Sequence, residues 1–275
     1  MNSPLSIIAA TNFSDTATNA VTYAAGLAQA IGAKLILFNS FTLSIHSSNS
    51  RISAEGMQKE LETATWKLNS LGKELSTLFN IEVESFCSYS FLEDQLVHLI
   101  EKNKSELVVM GMAERSLEQE LLGNKTTSVI KNLIIPVLAV PANVAFKSAK
   151  KFLFASDNLS LTTIEKFKWF MEIVEKLQSE VEFFSVDEKV EELVQEQGIL
   201  NNTDPEAFEK VRFVYKSVRS NSVVNEIKQE IKNYNADILV MVPQKYGFWD
   251  SLVHISKTRI MAVGLDIPLL SLPNF

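Results

Sequence analysis

One frame occurs twice in this chain, and it restricts the available folds more than any other feature. In the first half it runs Glu106-Leu107-Val108-Val109-Met110-Gly111, then Gly123-Asn124-Lys125-Thr126, then Ile135-Pro136-Val137-Leu138-Ala139-Val140-Pro141. In the second half it runs Asp237-Ile238-Leu239-Val240-Met241-Val242, then Ser256-Lys257-Thr258, then Ile267-Pro268-Leu269-Leu270-Ser271-Leu272-Pro273. A short apolar run without alternation is the pattern of a strand covered on both faces, which belongs to parallel sheets. Gly111 closes the first run, where a ligand can approach backbone. Asn124 and Thr126 fall near a helix start, where free N–H groups suit a phosphate. The glycines do not recur in the second copy.

The rest of the chain falls into the same order twice. Leu5–Ala10 reads as a buried strand, with Thr11-Asn12-Phe13-Ser14-Asp15 as a polar turn. Ser14 or Asp15 is the N-cap candidate for a helix over Ala17–Ile31, whose Val21, Ala24, Ala25, Ala28 and Ile31 share one face; Gly32 suits its end. Leu35–Phe38 is a second buried strand, and Thr42–Ser53 reads as a polar loop. Glu55–Phe79 predicts a long amphipathic helix with Leu61, Trp66, Leu68, Leu71, Leu75 and Leu78 inward. Ile81–Cys87 alternates, which suggests a strand near a sheet edge. Helices follow over Phe91–Glu101 and Asn124–Asn132, with strands at Leu107–Met110 and Val137–Val140.

After a small, polar linker at Ala142–Lys150, strands are expected at Phe152–Ser156, Val181–Val186, Val211–Val218, Ile238–Val242 and Leu269–Leu272. Helices are expected at Thr162–Leu177, Glu188–Gly198, Val223–Tyr234 and part of Trp249–Gly264, with a break at Asn201–Pro205. Strands alternating with helices imply parallel sheets with right-handed crossovers. The repeat is domain-sized, so the chain reads as a duplicated α/β domain, 1–146 and 147–275, each with five strands and about four helices.

Composition narrows the partners. At a net charge of −7, shared almost equally between the halves, neither duplex nucleic acid nor an anionic membrane is the expected partner. No run approaches the length of a membrane span, and the start Met1-Asn2-Ser3-Pro4 lacks the pattern of a secretion signal. The lone Cys87 rules out a disulfide within the chain and, read as a buried unreactive thiol, fits the cytoplasm. His46, His98 and His254 include no i, i+4 pair, so a two-histidine helical zinc site is not expected, nor any other metal site. Ser14 has no histidine nearby and reads as a cap, not a nucleophile. His254 with Lys245 and Lys257 offers a small anion site, set against a solvated helix start. The loop Gln244–Trp249 ends in Gly247-Phe248-Trp249, which either packs internally or forms a contact surface.

At this point the residues resemble a known family. Ala10-Thr11-Asn12-Phe13-Ser14-Asp15 is similar to the Pro-x-Asp-Phe-Ser opening of universal stress protein domains. Met110-Gly111, Gly123-Asn124-Lys125-Thr126 and Pro136-Val137-Leu138-Ala139-Val140 resemble that family's closing segment. The resemblance covers both halves and implies two tandem Rossmann-like domains of the adenine nucleotide alpha hydrolase-like kind. It also implies pairing through the last strands, here Val137–Val140 with Leu269–Leu272, giving an intramolecular pseudo-dimer.

Carried over by position, the family's nucleotide-binding residues are Ala10, Thr11, Asn12, Ser40, Met110, Gly111, Gly123, Asn124, Lys125 and Thr126. The implied ligand is ATP or another adenine nucleotide, in the first domain only. Asn12 stands where the family has Asp, and Glu114 replaces a glycine of the phosphate loop. The spacer from Glu114 to Gly123 is eight residues instead of nine, and Asn124 replaces Ser or Thr. A carboxylate at Glu114 meets a phosphate unfavourably unless a metal or Lys125 intervenes, so binding is expected to be weakened or altered. The second half keeps Asp157 but has Val242-Pro243 and Gln244–Trp249 in place of the loop, and Pro243 lacks an N–H. The expected role is a non-catalytic stress sensor or adaptor, with a protein partner or a second copy of the chain. The alternatives are a weak ATPase using Glu114 and an interaction module without ligand. No P-loop or dinucleotide fingerprint is present.

Overall fold

The computed structural model describes residues 5–41, 54–112, 124–155, 164–186, 211–220, 222–242 and 265–273. In the first half, β1 (Ser6–Ala10), β2 (Lys34–Phe41), β3 (Val83–Tyr89), β4 (Leu107–Gly111) and β5 (Val137–Val140) alternate with the described helices α1 (Asp15–Ile31), α2 (Ala54–Phe79), α3 (Leu92–Asn103) and α4 (Asn124–Asn132). The second half supplies β6 (Lys151–Ala155), β7 (Glu180–Val186), β8 (Arg212–Val218), β9 (Ile238–Met241) and β10 (Leu269–Ser271). Its described helices are α5 (Ile164–Leu177) and α6 (Val223–Tyr234). The expected helices at Glu188–Gly198 and Trp249–Gly264, the break at Asn201–Pro205 and the loop Thr42–Ser53 lie outside the described residues.

All ten strands form one sheet in the order β3-β2-β1-β4-β5-β10-β9-β6-β7-β8. Within each half the described pairs are parallel. The halves meet where β5 and β10 run antiparallel, with Leu269 opposite Ala139, Leu270 opposite Leu138 and Ser271 opposite Val137. The last-strand pairing that makes an intramolecular pseudo-dimer is therefore present. The apolar runs take the central places: β1, β5 and β9 are buried along their whole length, whereas the edge strand β3 is only half-buried. Helices α1, α2 and α5 cover one face through Ala24, Leu68 and Phe170. Helices α3, α4 and α6 cover the other through Leu96, Val129 and Ile227.

Local signals held at α1: Ser14 Oγ accepts from Ala17 N at 3.3 Å, and Gly32 closes the helix in the left-handed conformation. They failed on part of α2. Trp66 and Leu78, expected inward, are 71% and 68% exposed. The buried stripe is Leu68, Gly72 and Leu75, with Leu71 and Phe79 packed beside it. At about 100° per residue, Trp66 falls opposite Leu68, and Leu78 sits at the rim of the stripe.

The linker is tied down more firmly than its polar composition implies. Asn19 on α1 donates from Nδ2 to the carbonyls of Pro141 at 2.8 Å and Val144 at 3.0 Å. Phe146 meets Tyr23 edge-on, ring centres 5.2 Å apart. It lies where a side chain at Gly26 would have to go, since a Cβ there would sit 2.8 Å from Phe146 Cδ1. Asp237 Oδ2 then accepts from the backbone N–H of Lys150 at 2.7 Å and Lys151 at 3.0 Å.

The two halves also grip each other reciprocally. α1 and α5 end alike, in left-handed Gly32 and Gln178, so Tyr23 and Trp169 stand on the same turn of equivalent helices. Glu106 and Asp237 are likewise equivalent, each preceding a central strand and bonding β1 or β6 through its N–H. Tyr23 is buried near Asp237, and burial first, then that carboxylate, raises its hydroxyl pKa. Glu106 sits against Trp169. Burial and then Glu172 raise its pKa, while the Trp169 indole, Lys166 and Lys176 oppose the rise.

Phe146→Ala should destabilise the full chain by about 2 kcal/mol in urea denaturation, slightly below the usual cost of deleting a fully buried ring. Gly26→Val should cost at least as much, by displacing the same ring. Unchanged midpoints for both variants would show that the linker contributes no stability.

Candidate functional site

The carboxyl ends of β1, β2 and β4 and the start of α4 converge in the first half, and the expected binding residues are distributed over them. β1 delivers Ala10 and Thr11, both buried, to the sheet end. The Thr11 N–H donates to the Phe38 carbonyl at 2.8 Å, which extends the β1–β2 pairing into the turn. Thr11 Oγ1 accepts from Phe13 N at 3.0 Å. Asn12 Oδ1 accepts twice from Ser14, from its N–H at 3.1 Å and its hydroxyl at 2.7 Å. These bonds hold Phe13 at φ 63°, a region that side-chain-bearing residues seldom occupy. The first turn is thus a built structure, and Asn12 faces solvent with its oxygen already engaged. What Asn12 offers a ligand is an N–H donor, whereas an aspartate offers only acceptors.

β4 ends in Met110, buried, and Gly111, half-buried. The missing side chain at Gly111 is occupied by the protein itself: a Cβ would lie 3.0 Å from both Thr16 Cγ2 and Thr16 O on α1. Gly111 therefore lets α1 approach β4, a use that the sequence reading assigned to a ligand. Thr126, on the first turn of α4, donates its hydroxyl to the Gly111 carbonyl at 3.0 Å. This bond fixes the start of α4 against the end of β4. Lys125 beside it is exposed. Ser40 turns the other way, donating to the Ser90 carbonyl at 2.6 Å, toward the edge strand. The structure so brings Ala10, Thr11, Asn12, Met110, Gly111, Lys125 and Thr126 to one end of the sheet, with Ser40 engaged by the β3–α3 turn. Gly123, Glu114 and the side chain of Asn124 lie outside the described residues.

One residue behind the turn was not foreseen. Asn39, 4% exposed, donates from Nδ2 to the Thr11 carbonyl at 2.7 Å. Its Oδ1 accepts from the Cys87 thiol at 3.4 Å. The signal available was a lone amide ending an otherwise apolar strand, Leu35–Asn39, since a buried amide requires partners. Cys87 is half-buried instead of fully buried. Burial pushes its thiol pKa up, opposed by a hydrogen bond with Thr65. It is an anchored thiol, held between Asn39 and Thr65.

In the second half, the sheet register sets Val242 where the first half has Gly111. Val242 is buried. Asp157, Pro243, Gln244–Trp249, Lys245, His254 and Lys257 lie outside the described residues, as do the anion site and contact surface suggested for them. His98 is exposed on α3. Among the described residues no group of three or more His, Cys, Asp or Glu is placed to hold a metal ion. No described helix is long and apolar enough to cross a membrane.

At pH 7.5, a disulfide reagent should modify Cys87 in the folded chain at least about tenfold more slowly than in urea, because only the thiolate reacts. Equal rates would contradict the anchored-thiol description. Thr126→Val should cost about 1 kcal/mol in denaturant unfolding, the typical net worth of one hydrogen bond.

Comparison with known proteins agrees with this geometry. Residues 5–141 match the universal stress protein family. A universal stress protein from Archaeoglobus fulgidus DSM 4304 superposes with a TM-score of 0.70 at 15% identity, covering 98% of each chain. A putative universal stress protein from Pseudomonas aeruginosa UCBPP-PA14 gives 0.55 at 14% identity, covering 98% of this chain and 94% of that one. At these identities the structural likeness speaks for the fold of both halves. A comparison with curated protein sequences finds no match. The family match over the first half, on a fold shared along the whole chain, places this protein in the universal stress protein family.

Proposed function

We propose that this protein is a non-catalytic sensor or adaptor of the stress response, with a partly eroded adenine-nucleotide pocket in its first domain, residues 1–146. The second domain, residues 147–275, has largely lost the pocket, and serves as its fixed partner and as a surface for other proteins or further copies of the chain. The observation that carries this reading is the difference between the sheet ends of the two halves. In the first, a built turn, Gly111 and the tethered start of α4 converge beside exposed Lys125. In the second, buried Val242 takes the place of Gly111.

The first-half residues fit a nucleotide in part. A helix start such as that of α4 offers backbone donors of the kind that hold phosphates, and exposed Lys125 adds a cation. Against this, Asn12 brings a donor in place of an aspartate, its oxygen is engaged by Ser14, and Glu114 places a carboxylate in the phosphate loop. The combination favours weak or altered binding over the tight binding of an intact site. A binding role is preferred to hydrolysis because the sequence carries no P-loop signature.

Calorimetric titration of the full chain with Mg-ATP tests the reading. Weak binding, with Kd on the order of 0.1 mM or above, is expected, and Gly123→Val should abolish it. Heat that persists unchanged in the variant would remove the first-half site. Steady phosphate release that disappears in Glu114→Gln would replace the sensor with an ATPase. No heat with any adenine nucleotide would leave an interaction module without ligand.

A further inference from the structure

The second half buries charge where the first half buries hydrocarbon. Strand register aligns Ile36 of β2 with Glu182 of β7, and Phe86 of β3 with Lys216 of β8. The matching ends of α3 and α6, at left-handed Lys104 and Asn235, align Leu99 with Glu230. Ile36, Leu99 and Phe86 belong to one apolar cluster. Glu182 and Glu230 are each 4% exposed. The same scaffold therefore closes this position with apolar side chains, and its charges are not a requirement of the fold. Replacing a buried charged cluster by hydrocarbon is often neutral or stabilising, so retained charge calls for a separate explanation.

The charges do not balance either. Lys216 pairs with Glu230 through Oε2, while Glu182 Oε1 is buried with no hydrogen-bond partner. The Glu182 and Glu230 carboxyl groups lie within hydrogen-bonding range of each other. Two ionised carboxylates are acceptors only, and a single proton supplies the missing donor. The neighbouring charges do not relieve this. Glu180, on the same strand, is engaged by Lys151 of β6 at 3.5 Å and Arg212 of β8 at 3.4 Å. Tyr234 of α6 buries its hydroxyl beside Glu180, and Lys151 lies over its ring. Lys216 is thus the cation that faces the two carboxylates.

We propose that Glu182 is a proton-binding site set against the buried Glu230–Lys216 pair, holding its proton below neutral pH and releasing it above, so that the seating of α6 on the sheet responds to pH. Burial first, then the charge and hydrogen bond of Glu230, push Glu182 from 4.5 up to about 7. Lys216 opposes this, and Glu180 adds to it. Between those values the folded chain binds more protons than the unfolded chain, so stability falls as pH rises through the window and levels off above it. The site lies toward the start of β7 and the end of α6; because the halves run antiparallel, this end faces the same way as the first-half carboxyl ends, on the far strands of the other half.

The test uses the full chain. Carboxyl carbon NMR across pH 4 to 9 should show one glutamate titrating near neutrality, missing in Glu182→Gln. Melting temperature should fall by several degrees from pH 5.5 to 8 in the natural protein. The fall should be smaller in Glu182→Gln and in the combined variant E182I/K216F/E230L, which copies the first half. If all glutamates titrate below about pH 5.5, or if both variants keep the natural pH profile, the proposal is overturned. The combined variant keeps the test decisive where the single amide substitution fails to fold.

Discussion

The architecture rests on a short antiparallel contact between β5 and β10. Each is the last strand of a parallel sheet, and each would otherwise present an open apolar edge. Three residue pairs join them. Cross-strand pairs of this kind contribute roughly 0.2–1 kcal/mol each, so the seam alone is a weak joint. What makes it durable is the burial around it. Tyr23 is buried near Asp237, Glu106 lies near Trp169, and Phe146 ties the linker onto α1. A pseudo-two-fold arrangement doubles each such contact, and the covalent link removes the concentration dependence that a dimer of separate domains would have.

The fold was legible because buried parallel strands write themselves as unbroken apolar runs. Leu107–Met110 and Ile238–Met241 could not have been solvent-facing strands, and the recurrence of their surroundings disclosed the duplication. Side-chain direction was less legible. On α2 the apolar residues outnumber the buried positions, so Trp66 and Leu78 passed as core although the helix phase turns them out. The linker misled in the opposite sense, because Val144 and Phe146 are too sparse to register as a pattern. The polar support of the candidate site was hidden for a related reason. Asn39, Cys87 and Thr11 are distant in sequence and become one hydrogen-bonded group only when β1, β2 and β3 lie side by side.

Gly111 shows how a motif glycine can serve two purposes. Its conformational freedom suggests a ligand, yet the space beside it belongs to Thr16. Close packing of α1 on β4 and a nucleotide site at the same strand end are compatible, because the Thr126 hydroxyl takes the Gly111 carbonyl from another direction. In the second half Val242, buried, stands at this position with a side chain that Gly111 lacks. The absence of the glycine therefore changes the surface that the strand end of the second half presents.

Duplication supplies an internal control that single-domain proteins lack. At the first rung of the outer strands, Lys34 faces Glu82 and Glu84 in one half, and Glu180 faces Arg212 in the other. The sign is inverted and the attraction preserved, as expected of partly exposed pairs whose only duty is to close a sheet edge. One step further inward the halves differ in kind, with Ile36, Phe86 and Leu99 set against Glu182, Lys216 and Glu230. Inversion at the rim is neutral, because water screens either arrangement. Replacement of hydrocarbon by two acids and one base in the interior is not neutral, because each unpaired charge bears the full cost of leaving water. A scaffold that already possesses an apolar solution at this position gains no packing from the charged one, and what it does gain is a group able to change protonation near neutral pH.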